Sequence, residues 1–147
     1  MHFTCSVAMS ARFGMDLDLA KLSAADKVVC ARTIATYKHI RSVTQLGDLY
    51  RLENPHANPR CCMSFVSKDQ ARSILFVFQM RDAELKPVRP EGLDPKKSYV
   101  IRELNPLTGR HLLSQEGKSF RGDELMQNGI IPNCLKAAEA CVIELGQ

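Results

Sequence analysis

Two hydrophobic periods divide the chain. Up to about Gln45, apolar residues recur three and four apart; beyond Gly47 they fall into short alternating or continuous runs parted by Pro, Gly, Asn and Asp. The first pattern predicts helix and the second predicts strands. They meet in Gln45-Leu46-Gly47-Asp48-Leu49-Tyr50-Arg51-Leu52, where Gly47 breaks the helix, Asp48 is a usual turn residue, and a strand begins. The helix itself starts at Ser23, an N-cap with Asp26 three residues on. Its apolar stripe is Val29, Cys30, Thr33, Ile34, Tyr37 and Ile40, with Lys27, Arg32, Lys38 and His39 away from it. Upstream, Phe3–Ser10 is small and apolar and is bounded by Arg12-Phe13-Gly14, which predicts a buried strand of the parallel-sheet kind. Strand, loop and helix make one β/α unit. Such a unit cannot close a core alone, because its strand needs parallel neighbours. The expectation is therefore that it belongs to a larger α/β structure and that the chain is cut at its N-terminus.

Downstream of Gly47 the pattern predicts strands at Asp48–Glu53, Cys61–Ser67, Ser73–Met80, Tyr99–Leu104, Leu112-Leu113 and Ala138–Leu145, with turns at Thr108-Gly109 and Gly117. Asp123–Asn128 reads as a short helix or a strand. Ser73–Met80 is the strongest apolar run and predicts the core, hairpin-paired with Cys61–Ser67. Roughly seven or eight short strands with turn signals at near-regular spacing predict an antiparallel β-sandwich. The fold class read from the pattern is thus mainly β: residues 1–45 form one orphan β/α unit, and residues 46–147 form the sandwich.

Composition agrees with a folded chain and narrows its functions. Of 147 residues, 45% are apolar, as in globular proteins. Aromatics are 6% and Trp is absent, which counts against an exposed stacking platform for sugars or single-stranded nucleic acid. Lys and Arg number 20 against 16 acids, a net +4 spread along the chain rather than gathered on one face, so no nucleic-acid partner is expected. No apolar run approaches the ~20 residues of a membrane span, and no signal peptide is visible. The six cysteines form no C-x-x-C, and the four histidines are not at ligand spacing beside them. Buried free thiols are expected rather than a metal site, with a Cys134–Cys141 disulfide left open.

Candidate chemistry is sparse. No P-loop, G-x-G-x-x-G, H-E-x-x-H or G-x-S-x-G occurs. Arg12 and Asp16 are the outside candidates for substrate contact, because they follow the predicted first strand at its C-terminal end, where barrel enzymes build their sites. A loop ion pair is the competing reading. Asp48 and Asn105 read as turn formers, and Tyr50 and Tyr99 as half-buried strand aromatics. No catalytic residue, metal or cofactor is assigned.

Several segments nevertheless resemble one family in order. Val7-Ala8-Met9-Ser10-Ala11-Arg12-Phe13-Gly14-Met15-Asp16-Leu17 is similar to the eighth barrel strand of glycoside hydrolase family 36 α-galactosidases and the loop after it. Tyr37-Lys38-His39-Ile40-Arg41 and the Gln45–Leu52 junction resemble that family's last barrel helix and its entry into the C-terminal domain. Met63–Ser67, Gly92–Pro95, Tyr99, Glu103–Asn105 and Leu125–Ile130 follow in register. The resemblance implies a retaining exo-α-galactosidase acting on terminal α-galactosides such as raffinose-type oligosaccharides, with aspartates as nucleophile and acid/base. Their K-W-D and C-x-x-G-G-x-R-x-D motifs do not occur here, so no catalytic residue is carried over. The expectation is a non-catalytic C-terminal part whose sandwich buttresses a TIM barrel. Its partners would be the rest of that barrel, galactosides through the whole enzyme, and other copies through residues 1–45. The alternative is an independent carbohydrate-binding or dimerisation sandwich. Cytoplasmic and periplasmic locations both stay open.

Overall fold

The computed structural model describes residues 1–18, 20–106, 109 and 113–147. Two helices come first, α1 (His2–Met9) and α2 (Ala24–Leu46). Strands β1 (Asp48–Glu53), β2 (Arg60–Val66), β3 (Arg72–Gln79), β4 (Ser98–Leu104) and β5 (Ser119–Arg121) follow, then α3 (Gly122–Asn128) and β6 (Glu139–Gly146). These six strands, all among the described residues, join one antiparallel sheet in the order β1-β2-β3-β6-β4-β5. The predicted turn residue Thr108 and strand residue Leu112 lie outside the described residues.

The helix–strand switch falls where the hydrophobic period changes. The Ser23 hydroxyl accepts the Asp26 N–H at 3.1 Å and donates to the Asp26 carboxylate at 2.7 Å, capping α2. The helix stops at Leu46 because Gly47 passes against two carbonyls. A Cβ there would sit 2.5 Å from both Val43 O and Val66 O, which no residue but glycine tolerates. β1 then starts at Asp48 and pairs back on β2.

β2 and β3 form the expected hairpin, in register from Arg60↔Gln79 to Val66↔Ser73. β3 is apolar on both faces because both are covered. Ile74, Phe76 and Phe78 point to the helices, while Leu75 and Val77 point the other way. On the helix face they meet Met9 of α1 and Tyr37, Ile40 and Val43 of α2, with the Phe65 and Phe76 rings edge-to-face at 6.0 Å. On the opposite face Leu75, Val77, Tyr99, Ile101, Ile143 and Leu145 are covered by α3 and by extended segments. Those segments are tied by the Val88↔Ile130 bridge, which holds them over this face of the sheet. The last strand in sequence, β6, is inserted between β3 and β4 at the centre of the sheet.

Three expectations are corrected. Phe3–Ser10 is not a strand: residues 2–9 are α1, with Cys5, Ser6 and Met9 buried on one side. No described strand flanks this segment, and an extended backbone without neighbours would leave its N–H and C=O groups unpaired, whereas a helix pairs them internally. Ile34, assigned to the apolar stripe of α2, is 39% exposed, and the stripe continues instead into Val43. Tyr99 is fully buried rather than half-buried, because its hydroxyl finds partners inside: it donates to Gln70 O at 2.7 Å and accepts the Asp94 N–H at 3.0 Å.

Candidate functional site

Among the described residues, two carboxylates gripped by arginines of neighbouring strands and one apolar groove stand out. The first carboxylate is Glu144 of β6, on the helix face of the sheet. Arg72 of β3 is its diagonal cross-strand neighbour, since the register pairs Arg72 with Gly146. Arg72 Nε and Nη2 donate to Glu144 Oε1 at 3.0 and 2.5 Å, and His39 Nε2 of α2 lies 3.0 Å from Oε2. Burial pushes this carboxyl up, but the hydrogen bonds from His39 and Arg72 outweigh it and hold the group below the usual glutamate range. With Val100, Arg102, Gly146 and Gln147, these residues line a cavity of about 240 Å³. A carboxylate held ionised by two partners is a poor proton donor. What the arrangement does is tie α2 to the β3–β6 pair.

The second is Glu53 at the end of β1. Arg60 of β2 grips it at 2.6 Å through both Nε and Nη2, and its remaining donors reach Lys86 O at 2.6 Å and Pro87 O at 3.2 Å. The Glu53 hydrogen bond raises the Arg60 guanidinium above its ordinary value against the opposing effect of burial. Cys62 beside this pair is held neutral, its thiol pushed up first by burial and then by Glu53. This cluster staples the chain after β3 onto the hairpin and leaves no thiolate to act as a nucleophile.

The sequence candidates occupy the loop between α1 and α2. Arg12 and Asp16 are both exposed there. Asp16 joins Met1, Cys5, Ala8, Phe13 and Leu17 around a groove of about 380 Å³, while Arg12 is not on its wall. The structure therefore does not bring the two together in one cleft. Asn105 has the positive φ, 52°, of a turn former, and Asp48 pairs with Lys68. The Tyr50 ring lies on Gly92 and leaves no room for a Cβ there, and the glycine's φ of 76° is left-handed as well. Sequence reasoning did not find the Glu144 and Glu53 clusters. The partners of Glu144 come from three elements far apart in the chain, and only the alternation of Arg72 and Glu144 with apolar neighbours marks them as facing one layer.

Glu144 and Glu53 are thus both held by arginine. The family model for the glycosyl hydrolase family 36 C-terminal domain matches residues 60–145. The chain belongs to that family. Similarity to individual relatives reaches further along the chain than residues 60–145. Alpha-galactosidase 1 of Pediococcus pentosaceus is 34% identical over 132 residues, which is 88% of this chain and 16% of the relative. Alpha-galactosidase AgaA of Geobacillus stearothermophilus is 32% identical over 127 residues, again 16% of its length. Among solved structures, family 36 α-galactosidase AgaB from the same organism superposes with a TM-score of 0.82 at 30% identity, over 97% of this chain and 18% of that one. AgaA in complex with stachyose gives 0.81 at 29% identity. The chain thus spans about a sixth of the relatives it matches, and the family 36 C-terminal domain and the helices before it are what it shares with them.

Proposed function

We propose that this chain serves as the C-terminal, non-catalytic part of a retaining α-galactosidase that removes terminal α-linked galactose from raffinose-type oligosaccharides. In this reading residues 1–45 are the closing unit of the catalytic barrel and residues 46–147 are the sandwich that buttresses it. The observation that carries it is the extent of the superposition: 97% of the chain lies on solved family 36 α-galactosidases while accounting for only 18% of each. Neighbouring AgaA structures are complexes with stachyose, raffinose and 1-deoxygalactonojirimycin, which supports the substrate class. Both well-formed carboxylate clusters are paired with arginine, as suits a support rather than a catalyst. Apolar side chains on the outer side of the helices, Val28 at 65% and Val7 at 41% exposure among them, supply a surface for the rest of the barrel to cover.

The test has two arms. The purified chain, incubated with p-nitrophenyl α-galactopyranoside or raffinose, is expected to release nothing above the blank. An antibody raised to it, used to capture the native polypeptide from source cells, is expected to bring down α-galactosidase activity on a chain far larger than 16.4 kDa. Turnover by the isolated chain would overturn the non-catalytic assignment. Capture of a polypeptide without α-galactosidase activity would overturn the enzyme assignment.

A further inference from the structure

We infer that Asn105 is the clasp through which the sheet fixes the two N-terminal helices, a positioning residue rather than only a turn former. It sits at the exit of β4 and is 7% exposed. Three groups from both helices converge on it. Its side-chain carbonyl accepts a short hydrogen bond from Arg32 Nε of α2. Its amide Nδ2 donates to the hydroxyl of Thr33, the next residue of α2 and wholly buried, at 3.3 Å. Its main-chain carbonyl lies 2.8 Å from His2 Nε2 at the start of α1. Arg32 then reaches on through Nη2 to Pro106 O at 2.8 Å, so one guanidinium spans two successive residues of the turn.

An amide suits this place. Arg32 needs an acceptor and the Thr33 hydroxyl accepts a hydrogen bond, and one amide side chain presents both a carbonyl oxygen and an N–H₂. The left-handed backbone at φ 52° restricts the choice to Gly, Asn or Asp at little cost. Asparagine meets both demands at once; aspartate would have to take the Thr33 hydroxyl as a donor instead. The apolar layer between helices and sheet is non-directional, so it fixes contact but not the angle of α2. The clasp supplies direction at the N-terminal half of α2, as the Glu144 cluster does further along.

This deepens the buttress reading, by naming the residue through which the sandwich holds the barrel's closing unit, but it stands on contacts inside the chain. The experiment contains no glycosidase readout, so its failure is distinguishable from failure of the proposed function. Native-state hydrogen exchange of the whole 147-residue chain is followed by mass spectrometry for Asn105→Gly, Asn105→Asp and Arg32→Met. Asn105→Gly keeps the backbone conformation and the His2 contact but removes the amide. It is expected to speed exchange of α2 amides by about tenfold while leaving β3 and β6 unchanged, the scale of losing hydrogen bonds to a charged group. Asn105→Asp, which retains an acceptor for Arg32, is expected to restore much of that protection. Arg32→Met lies on the outer surface of a long helix and tests the same link without endangering the turn. Combined with Asn105→Gly, it is expected to add little beyond the single change. Exchange of α2 in Asn105→Gly at the wild-type rate, or full additivity of the two changes, would overturn the inference and leave Asn105 a turn former.

Discussion

Glu144 and Cys62 show what burial does to a titrating side chain when the cations beside it do and do not outweigh it. Glu144 is buried between Arg72 and His39, and its carboxyl is held below the glutamate range. A group with a depressed folded value contributes stability above its unfolded value and loses it as pH falls through the folded one. The urea midpoint is therefore expected to hold down to about pH 4.5 and to fall below it, with Glu144→Gln flattening that limb and costing about 2 kcal/mol at neutral pH. An acid limb identical in the variant would mean that other carboxylates carry it. Cys62 has no cation strong enough to offset burial, so its thiol is raised. Of the six cysteines, Cys61 alone is more than marginally accessible. Native alkylation with iodoacetamide is expected to modify Cys61 slowly and the others only after denaturation. Labelling of Cys62 as fast as Cys61 would contradict the packing of β2.

At the scale of elements, α2 and β3 are stabilised by different physics. The boundaries of α2 rest on local chemistry, a capping serine at one end and a glycine pressed against two carbonyls at the other. Ser23→Ala is expected to cost about 1 kcal/mol and to be read as a small drop in the urea midpoint. β3 rests on burial. Phe76 has no accessible surface, lies between the Phe65 and Phe78 rings, and faces both helices. Phe76→Ala is expected to cost about 3–5 kcal/mol and to lower the urea midpoint far more than Ser23→Ala does. A midpoint shift no larger than that of Ser23→Ala would show that the helix face repacks freely.

For the molecule as a whole, the consequence is that the sheet and the helices share one apolar layer. Residues 46–147 taken alone would expose Phe65, Ile74, Phe76 and Phe78 to water along the centre of the sheet. An exposed apolar patch of that kind drives association. We expect that truncated chain to bind several-fold more of a hydrophobic dye than residues 1–147 and to aggregate more readily. A monomeric truncation with an unchanged thermal midpoint would show that the sandwich closes without the helices.

What the sequence determined by itself is whatever short-range chemistry controls. The span of α2 follows from Ser23, the 3.6-residue period and Gly47. The β2–β3 hairpin follows from two apolar runs joined by Lys68-Asp69-Gln70, and the mainly β, antiparallel class follows from repeated turn signals. Membership of the family, expected from its ordered segments, was legible for the same reason, since each segment is local. Only the tertiary structure decided the rest. Whether Phe3–Ser10 is strand or helix depends on neighbours that a local pattern does not contain, and without flanking strands the backbone pairs with itself as α1. The place of β6 between β3 and β4 depends on contacts some 70 residues apart in one direction and 40 in the other, which no periodicity encodes. Glu144, Arg72 and His39, like Asn105, Arg32 and Thr33, become partners only once that sheet order brings distant elements together, because a hydrogen bond is set by position in space and not by spacing along the chain.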